Sequence, residues 1–139
     1  MKKIILLLLI IVSFACNKKK EVANLIDGGY YKYWKEVYKP NPLEPGTVIC
    51  YFDKNGMRDE FYRYPSGYFV RNSIPDVMYV QKWEMIDDTT AYIGCSDCII
   101  ETINDSVFIY TEKLRKCRHV LVKAPDSLIP WEYRRILFQ

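Results

Sequence analysis

Between Trp83 and Lys123 the chain breaks into short runs rich in Ile, Val, Thr, Tyr and Phe, separated by acidic or polar turns. Trp83-Glu84-Met85-Ile86 leads into Asp87-Asp88, and Thr90 to Gly94 follows. Cys95-Ser96-Asp97-Cys98 reads as a turn into Ile99 to Ile103, and Asn104-Asp105 as a turn into Ser106 to Tyr110. Cys117 to Lys123 supplies one more segment. β-Branched and aromatic runs punctuated by turn formers every ~8–12 residues predict an antiparallel meander.

The preceding half reads the same way. Gly28-Gly29 precedes a strand over Tyr30 to Tyr38, and the cluster from Pro40 to Gly46 is a loop, since proline donates nothing to a ladder. Thr47 to Phe52 is the next strand, with Val48, Cys50 and Phe52 on one face and Ile49 and Tyr51 on the other. Asp53-Lys54-Asn55-Gly56 predicts a hairpin turn in which Gly56 takes the positive φ. Met57 to Tyr64 returns from it, and Pro65-Ser66-Gly67 turns the chain into Tyr68 to Asn72. Met78 to Met85 resumes with Tyr79, Trp83 and Met85 on one side. Ser127 to Phe138 fits a short helix with Pro130 in its first turn, or a further strand; the pattern leaves both open. The fold class is all-β. Closing the meander into a barrel of about eight strands removes exposed sheet edges.

The N-terminus is a different object. Met1-Lys2-Lys3 is a cationic start, Ile4 to Val12 an apolar run too short to span a bilayer, and Ala15 a small residue just before Cys16. That is a secretory signal layout, and with Cys16 next it resembles a bacterial lipobox, apart from Ser13 where Leu is usual. The resemblance implies a diacylglyceryl group on Cys16 and cleavage before it. The organisation that follows is residues 1–15 as signal, 16–26 as lipidated cysteine and polar tether, and 27–139 as a single β-barrel domain. The expected location is the bacterial cell envelope, anchored in a membrane through Cys16, with the outer membrane expected and the face left open.

Cleavage leaves 124 residues, one domain's worth, and removes Lys2 and Lys3, so the formal charge falls from +3 to +1. A near-neutral chain lacks the basic footprint of a nucleic-acid partner. There is no Gly-rich phosphate loop, nucleophile elbow or metalloprotease helix, and His119 is the only histidine. Neither an enzyme nor a cofactor is expected.

The early Tyr-x-Trp strand, the Phe-Asp-Lys-Asn-Gly hairpin at Phe52 to Gly56, and the later order from Lys82-Trp83-Glu84-Met85 to Ile99 through Tyr110 resemble small lipocalin-like lipoproteins. The likeness covers Tyr30 to Lys123 and implies a small barrel that binds a small, partly apolar ligand or an envelope component. Tyr33, Trp34, Tyr62, Tyr64, Tyr79 and Trp83, with Tyr30, are the candidate ligand-binding rings, because aromatic side chains with polar tips suit a barrel mouth. Filling the interior is the more ordinary use of such rings, since an eight-strand barrel is barely wider than its own side chains. Ser66-Gly67-Tyr68 resembles the loop of lysozyme-inhibitor lipoproteins, which implies a protein partner instead. A purely structural envelope role is the remaining alternative.

Cys50, Cys95, Cys98 and Cys117 form an even set, which in an exported domain suggests disulfides. Cys95 with Cys98, and Cys50 with Cys117, is the pairing expected. No resident metal is expected, although Cys95, Cys98, Cys117 and His119 carry zinc-type ligands, the last two on one strand face. The oxidising compartment counts against thiolate ligation.

Overall fold

The computed structural model describes residues 17–37, 46–71 and 82–135. Cys16, the signal, Tyr79 and the proline-rich loop before Gly46 lie outside the described residues. The chain enters in a helix, α1 (residues 17–27). Nine strands follow among the described residues: β1 Tyr31–Glu36, β2 Thr47–Asp53, β3 Arg58–Arg63, β4 Phe69–Arg71, β5 Lys82–Met85, β6 Thr90–Gly94, β7 Ser96–Ile103, β8 Val107–Glu112 and β9 Arg118–Lys123. A 3-10 turn at Asp126–Leu128 and a helix, α2, at Trp131–Arg135 end the described chain. The described part of the ambiguous tail is therefore helical, with Tyr133 N–H donating to Pro130 O at 3.0 Å, and residues 136–138 lie outside the described residues.

All nine strands form one antiparallel sheet in the order β4-β3-β2-β1-β9-β8-β7-β6-β5. Each half is a meander, and the first strand meets the last along Trp34↔Lys123, Lys35↔Val122 and Glu36↔Leu121. A bulge between Ile100 and Thr102 breaks the β7–β8 register, a device that sharpens sheet curvature. The sheet coils so far that Phe52 of β2 and Trp83 of β5 touch edge to face at 5.8 Å. Closure into a barrel is not complete as a ladder. Near its free edges the sheet has one isolated bridge, Met57↔Lys82, beside a bond from Trp83 N–H to Gly56 O at 2.9 Å.

Strand alternation produces two cores, and β2 serves both. Its Val48, Cys50 and Phe52 join Trp34, Trp83, Phe108 and Leu121 inside the coil. Its Ile49 and Tyr51 face outward, where Ala124, Ile129 and Tyr133 cover them together with Tyr33 and Phe61. Arg63 Nη1 clamps this cover by donating to Leu128 O at 2.8 Å. Trp34, Phe52 and Phe108 are fully buried, and the Phe108 ring touches both of the others, so side chains fill the interior rather than line a hollow. The Asp53–Gly56 hairpin forms as expected, with Gly56 at φ 82.

Two expectations change. The stretch expected as a tether is a packed helix: Val22, Ala23 and Ile26 make an apolar stripe that enters the inner core. Residues 17–21 carry no such stripe, and the periodic signal begins only one turn later. Gly28, at φ 67, ends the helix, and two side chains satisfy carbonyls of its last turn. Trp34 Nε1 donates to Ile26 O at 2.8 Å and Lys32 Nζ to Leu25 O at 3.0 Å. The second change is the turn before β7. Ile93 pairs with Ser96, so Gly94-Cys95 is the two-residue loop, with Gly94 at φ 67. Glycine at the first central position is what a type II′ hairpin turn requires.

Candidate functional site

α1 and the β2–β3, β5–β6 and β7–β8 turns lie at one end of the sheet. The β3–β4, β6–β7 and β8–β9 turns lie at the other, and there the inner face turns polar. Glu36 follows Trp34 by two residues on β1, Glu112 follows Tyr110 by two on β8, and His119 pairs with Tyr110 across β8–β9. Period-two alternation sends all four side chains inward. His119 Nδ1 lies 2.9 Å from Glu36 Oε1, and Nε2 lies 3.3 Å from Glu112 Oε1. The imidazole stacks on the Tyr110 ring at 4.7 Å. One ring thus bridges carboxylates from two other strands across the seam between the meanders.

Further in, Arg58 Nη2 pairs with Glu60 Oε2 at 3.1 Å, both largely buried. Glu112 Oε2 is buried and accepts no hydrogen bond among the described residues, although Arg115 Nε stands 3.9 Å away. Burial of the His119 ring opposes its protonation, but the hydrogen bond and charge of Glu36, with those of Glu112, outweigh it, and its pKa rises above 6.5. A cavity of about 640 Å³ opens here, walled by Glu36, Glu112, Arg115, Cys117, Arg118, His119 and Val120. A larger groove of about 880 Å³ runs on the opposite end, between α1 and the β2–β3 turn, past Lys20, Lys54, Lys82 and Trp83. The larger groove is walled by the buried Asp27 and Asp53, but the smaller cavity is the stronger candidate site, because a hydrogen-bonded imidazole and two carboxylates stand together in its wall.

The structure scatters the expected aromatic site. Trp34 and Trp83 are buried inside, Trp83 with its Nε1 donating to Asp53 O at 2.8 Å. Tyr62 packs against that inner core from its margin. Tyr33 faces the other way, under the C-terminal cover, with its hydroxyl donating to Tyr133 O at 3.2 Å. Tyr30 and Tyr64 are exposed at opposite ends of the sheet. No common mouth is formed from these rings among the described residues.

The cysteines stay apart as well. All four are free: Cys50 and Cys98 buried, Cys95 and Cys117 exposed. Cys95 sits in the turn and Cys98 three residues along β7, facing inward, so about 10 Å of extended chain separates them. A disulfide needs Cα atoms within about 7 Å. Cys50 is level with Lys123 across β1, while Cys117 precedes the other end of β9. Neither expected bridge forms. The same geometry dissolves the zinc set: only Cys117 and His119 share the cavity, and no group of three or more ligating side chains is placed to hold a metal among the described residues. Burial pushes the Cys50 and Cys98 thiols up to about 12, which leaves them inert as nucleophiles.

Sequence reading missed Glu36, Glu112, Arg58 and Glu60. Parity carried a signal, since Glu36 and Glu112 each continue the inward face of an aromatic residue two positions earlier. Asp59 and Glu60 face opposite ways on β3, and Asp59 is buried and held by Arg71 at 2.7 Å. Compared with known proteins, the chain matches no family model, no curated protein and no solved structure.

Proposed function

We propose that the chain is a lipid-anchored protein of the bacterial envelope, its sheet closing as a small barrel, and that it acts as a non-enzymatic binding domain. The order Lys2-Lys3, apolar run, Ala15, Cys16 supports the anchor. The Met57↔Lys82 bridge supports closure, because it brings the β5 edge to the chain just before β3. The ligand is received at the His119 end rather than in the middle, which Trp34, Phe52 and Phe108 occupy. The observation that carries this is the Glu36–His119–Glu112 trio set in the wall of an open cavity. Partly buried hydrogen-bonding groups fix the orientation of a small ligand, while Val120 offers an apolar contact. The ligand class is a small, partly apolar molecule with at least one polar hydrogen-bonding group.

The test is native mass spectrometry of the protein purified from its own envelope, paired with NMR of the single histidine. A co-purifying small molecule whose removal shifts the His119 ring signals is expected. An empty protein whose His119 signals ignore a total envelope extract would reject the site. A second reading, capture of a protein partner, draws on the β3–β4 tip at the same end, where Tyr64 and Tyr68 are exposed with rings 6.3 Å apart. Inhibition of lysozyme by the protein, lost in Tyr68→Ala, would favour it. Failure of both leaves the structural envelope role.

A further inference from the structure

We infer that the α1 end of the domain lies directly against the lipid bilayer, held there by a link too short to act as a spacer. The inference rests on acylation of Cys16, as proposed above. Cys16 is bonded to Asn17, and residues 17–27 are already helical. Neighbouring Cα atoms are about 3.8 Å apart, so a lipid on Cys16 sits within one residue of the packed helix.

That helix is fixed, not swinging. Val22 and Ile26 enter the core, Lys19 Nζ donates to Ile86 O at 3.2 Å, and Lys18 pairs with Asp88 at 2.8 Å. Both partners lie in the β5–β6 turn, so the start of the helix is tied to the rim of this end. The exposed side chains here suit a headgroup layer. Tyr30 is 68% exposed, Met57 49% and Ile86 47%, with Lys20, Lys54 and Lys82 around them. Lys54 Nζ rests 4.5 Å over the Tyr30 ring. Rings with polar tips and lysines with aliphatic stems settle at the water–lipid boundary. Asp87, Asp88 and Asp105 share this end and offset the lysines, so net charge does not set the contact. The link length and the apolar side chains do, and the orientation holds on zwitterionic bilayers. The His119 cavity then points away from the membrane.

The experiment reconstitutes the mature lipoprotein into phosphatidylcholine vesicles carrying a lipid with a headgroup nitroxide, a short-range quencher. A fluorophore goes on Asn55→Cys in a Cys95→Ser, Cys117→Ser background, with Lys20→Cys as a second reporter should the turn variant fold poorly. Native Cys117, in a Cys95→Ser background, reports from the far end. Quenching several-fold stronger at Asn55→Cys than at Cys117 is expected, and equal quenching overturns the docking face. Inserting ten Gly-Ser residues between Cys16 and Asn17 gives a link of about 17 Å root-mean-square length. It should largely abolish the difference; a difference that survives unchanged overturns the role of the short link. The intact mass of the same sample separates the two hypotheses. Acylated protein with equal quenching sinks the docking face alone, whereas unmodified Cys16 sinks the anchor and takes this inference with it.

Discussion

The two ends of the sheet solve opposite problems. At the α1 end, apolar Val22 and Ile26 descend into the cluster that holds Trp34 and Phe52, and two carbonyls of the helix's last turn accept hydrogen bonds from Trp34 and Lys32. At the other end no element descends among the described residues. The inner face there carries Glu36, Glu112 and His119, whose charges are shared within the trio. The contrast teaches where each kind of free energy resides. Apolar packing at the first end contributes in proportion to buried apolar area and carries no proton dependence of its own, although burial there raises the Asp27 pKa and lowers that of Lys32. The polar end contributes through hydrogen bonds to ionisable groups, so its contribution is modest and depends on the proton.

That contrast breaks most visibly in the shared core. Phe108→Ala removes a fully buried ring that touches Trp34, Phe52 and Tyr110, and should cost about 3–5 kcal/mol in urea unfolding. A loss below about 1 kcal/mol would mean that the interior is not packed as described. Next comes the plug. Ile26→Ala should cost about 2–4 kcal/mol, because Ile26 is fully buried and belongs to the inner cluster. A tether would tolerate the same change, so a neutral result would restore that reading of residues 17–26.

His119→Gln tests the polar end and should have a smaller effect that varies with pH. The folded pKa of His119 lies above its ordinary 6.5, so the folded state holds its proton more tightly than the unfolded chain. The stabilisation is therefore fully present below about pH 6.5 and fades as pH rises through the folded value. The groups facing the ring are Glu36 on β1, Glu112 and Tyr110 on β8, with Arg115 and Arg118 at the cavity rim. At pH 6 the variant should be less stable by about 1 kcal/mol, with the gap narrowing towards pH 9. A gap that widens with pH would mean that a neutral imidazole makes the bridge. Ile26→Ala should show no such dependence over that range.

Much of this architecture was legible in single strands and little of it between them. Alternation in Thr47 to Phe52 assigned Val48, Cys50 and Phe52 to one face and Ile49 and Tyr51 to the other, as the two cores have it. What alternation could not show was that both faces would be covered, because the outer cover comes from Ala124 to Tyr133, far along the chain. The His119 site was half legible. Its own residue and Cys117 were noticed for metal-ligand chemistry, yet the partners come from β1 and β8, and only the strand order brings them beside β9. The aromatic site failed for a related reason. A list of rings carries no face, and consecutive Tyr33 and Trp34 must point to opposite sides of a strand.

The smallest effect expected is also the one that decides how the cysteines serve the two environments. Cys95 and Cys117 are exposed in turns at the polar end, while Cys50 and Cys98 are buried within the core. With no bridge to lose, Cys95→Ser and Cys117→Ser should each alter stability by no more than about 0.5 kcal/mol, the usual range for surface changes. Reduction should leave the melting temperature unchanged, whereas loss of a native disulfide would lower stability by about 2–5 kcal/mol. Reactivity then separates the pairs. An alkylating agent should modify Cys95 and Cys117 promptly in the native protein. Cys50 and Cys98, whose thiols burial pushes up to about 12, should react only as the domain unfolds. Their rate should therefore rise in Phe108→Ala in step with the opened population, while the rates at Cys95 and Cys117 stay put. A protein isolated from the oxidising envelope with four protons missing and no reactive thiol would show that bridges do form, and with them a turn geometry at Gly94-Cys95 different from the hairpin described.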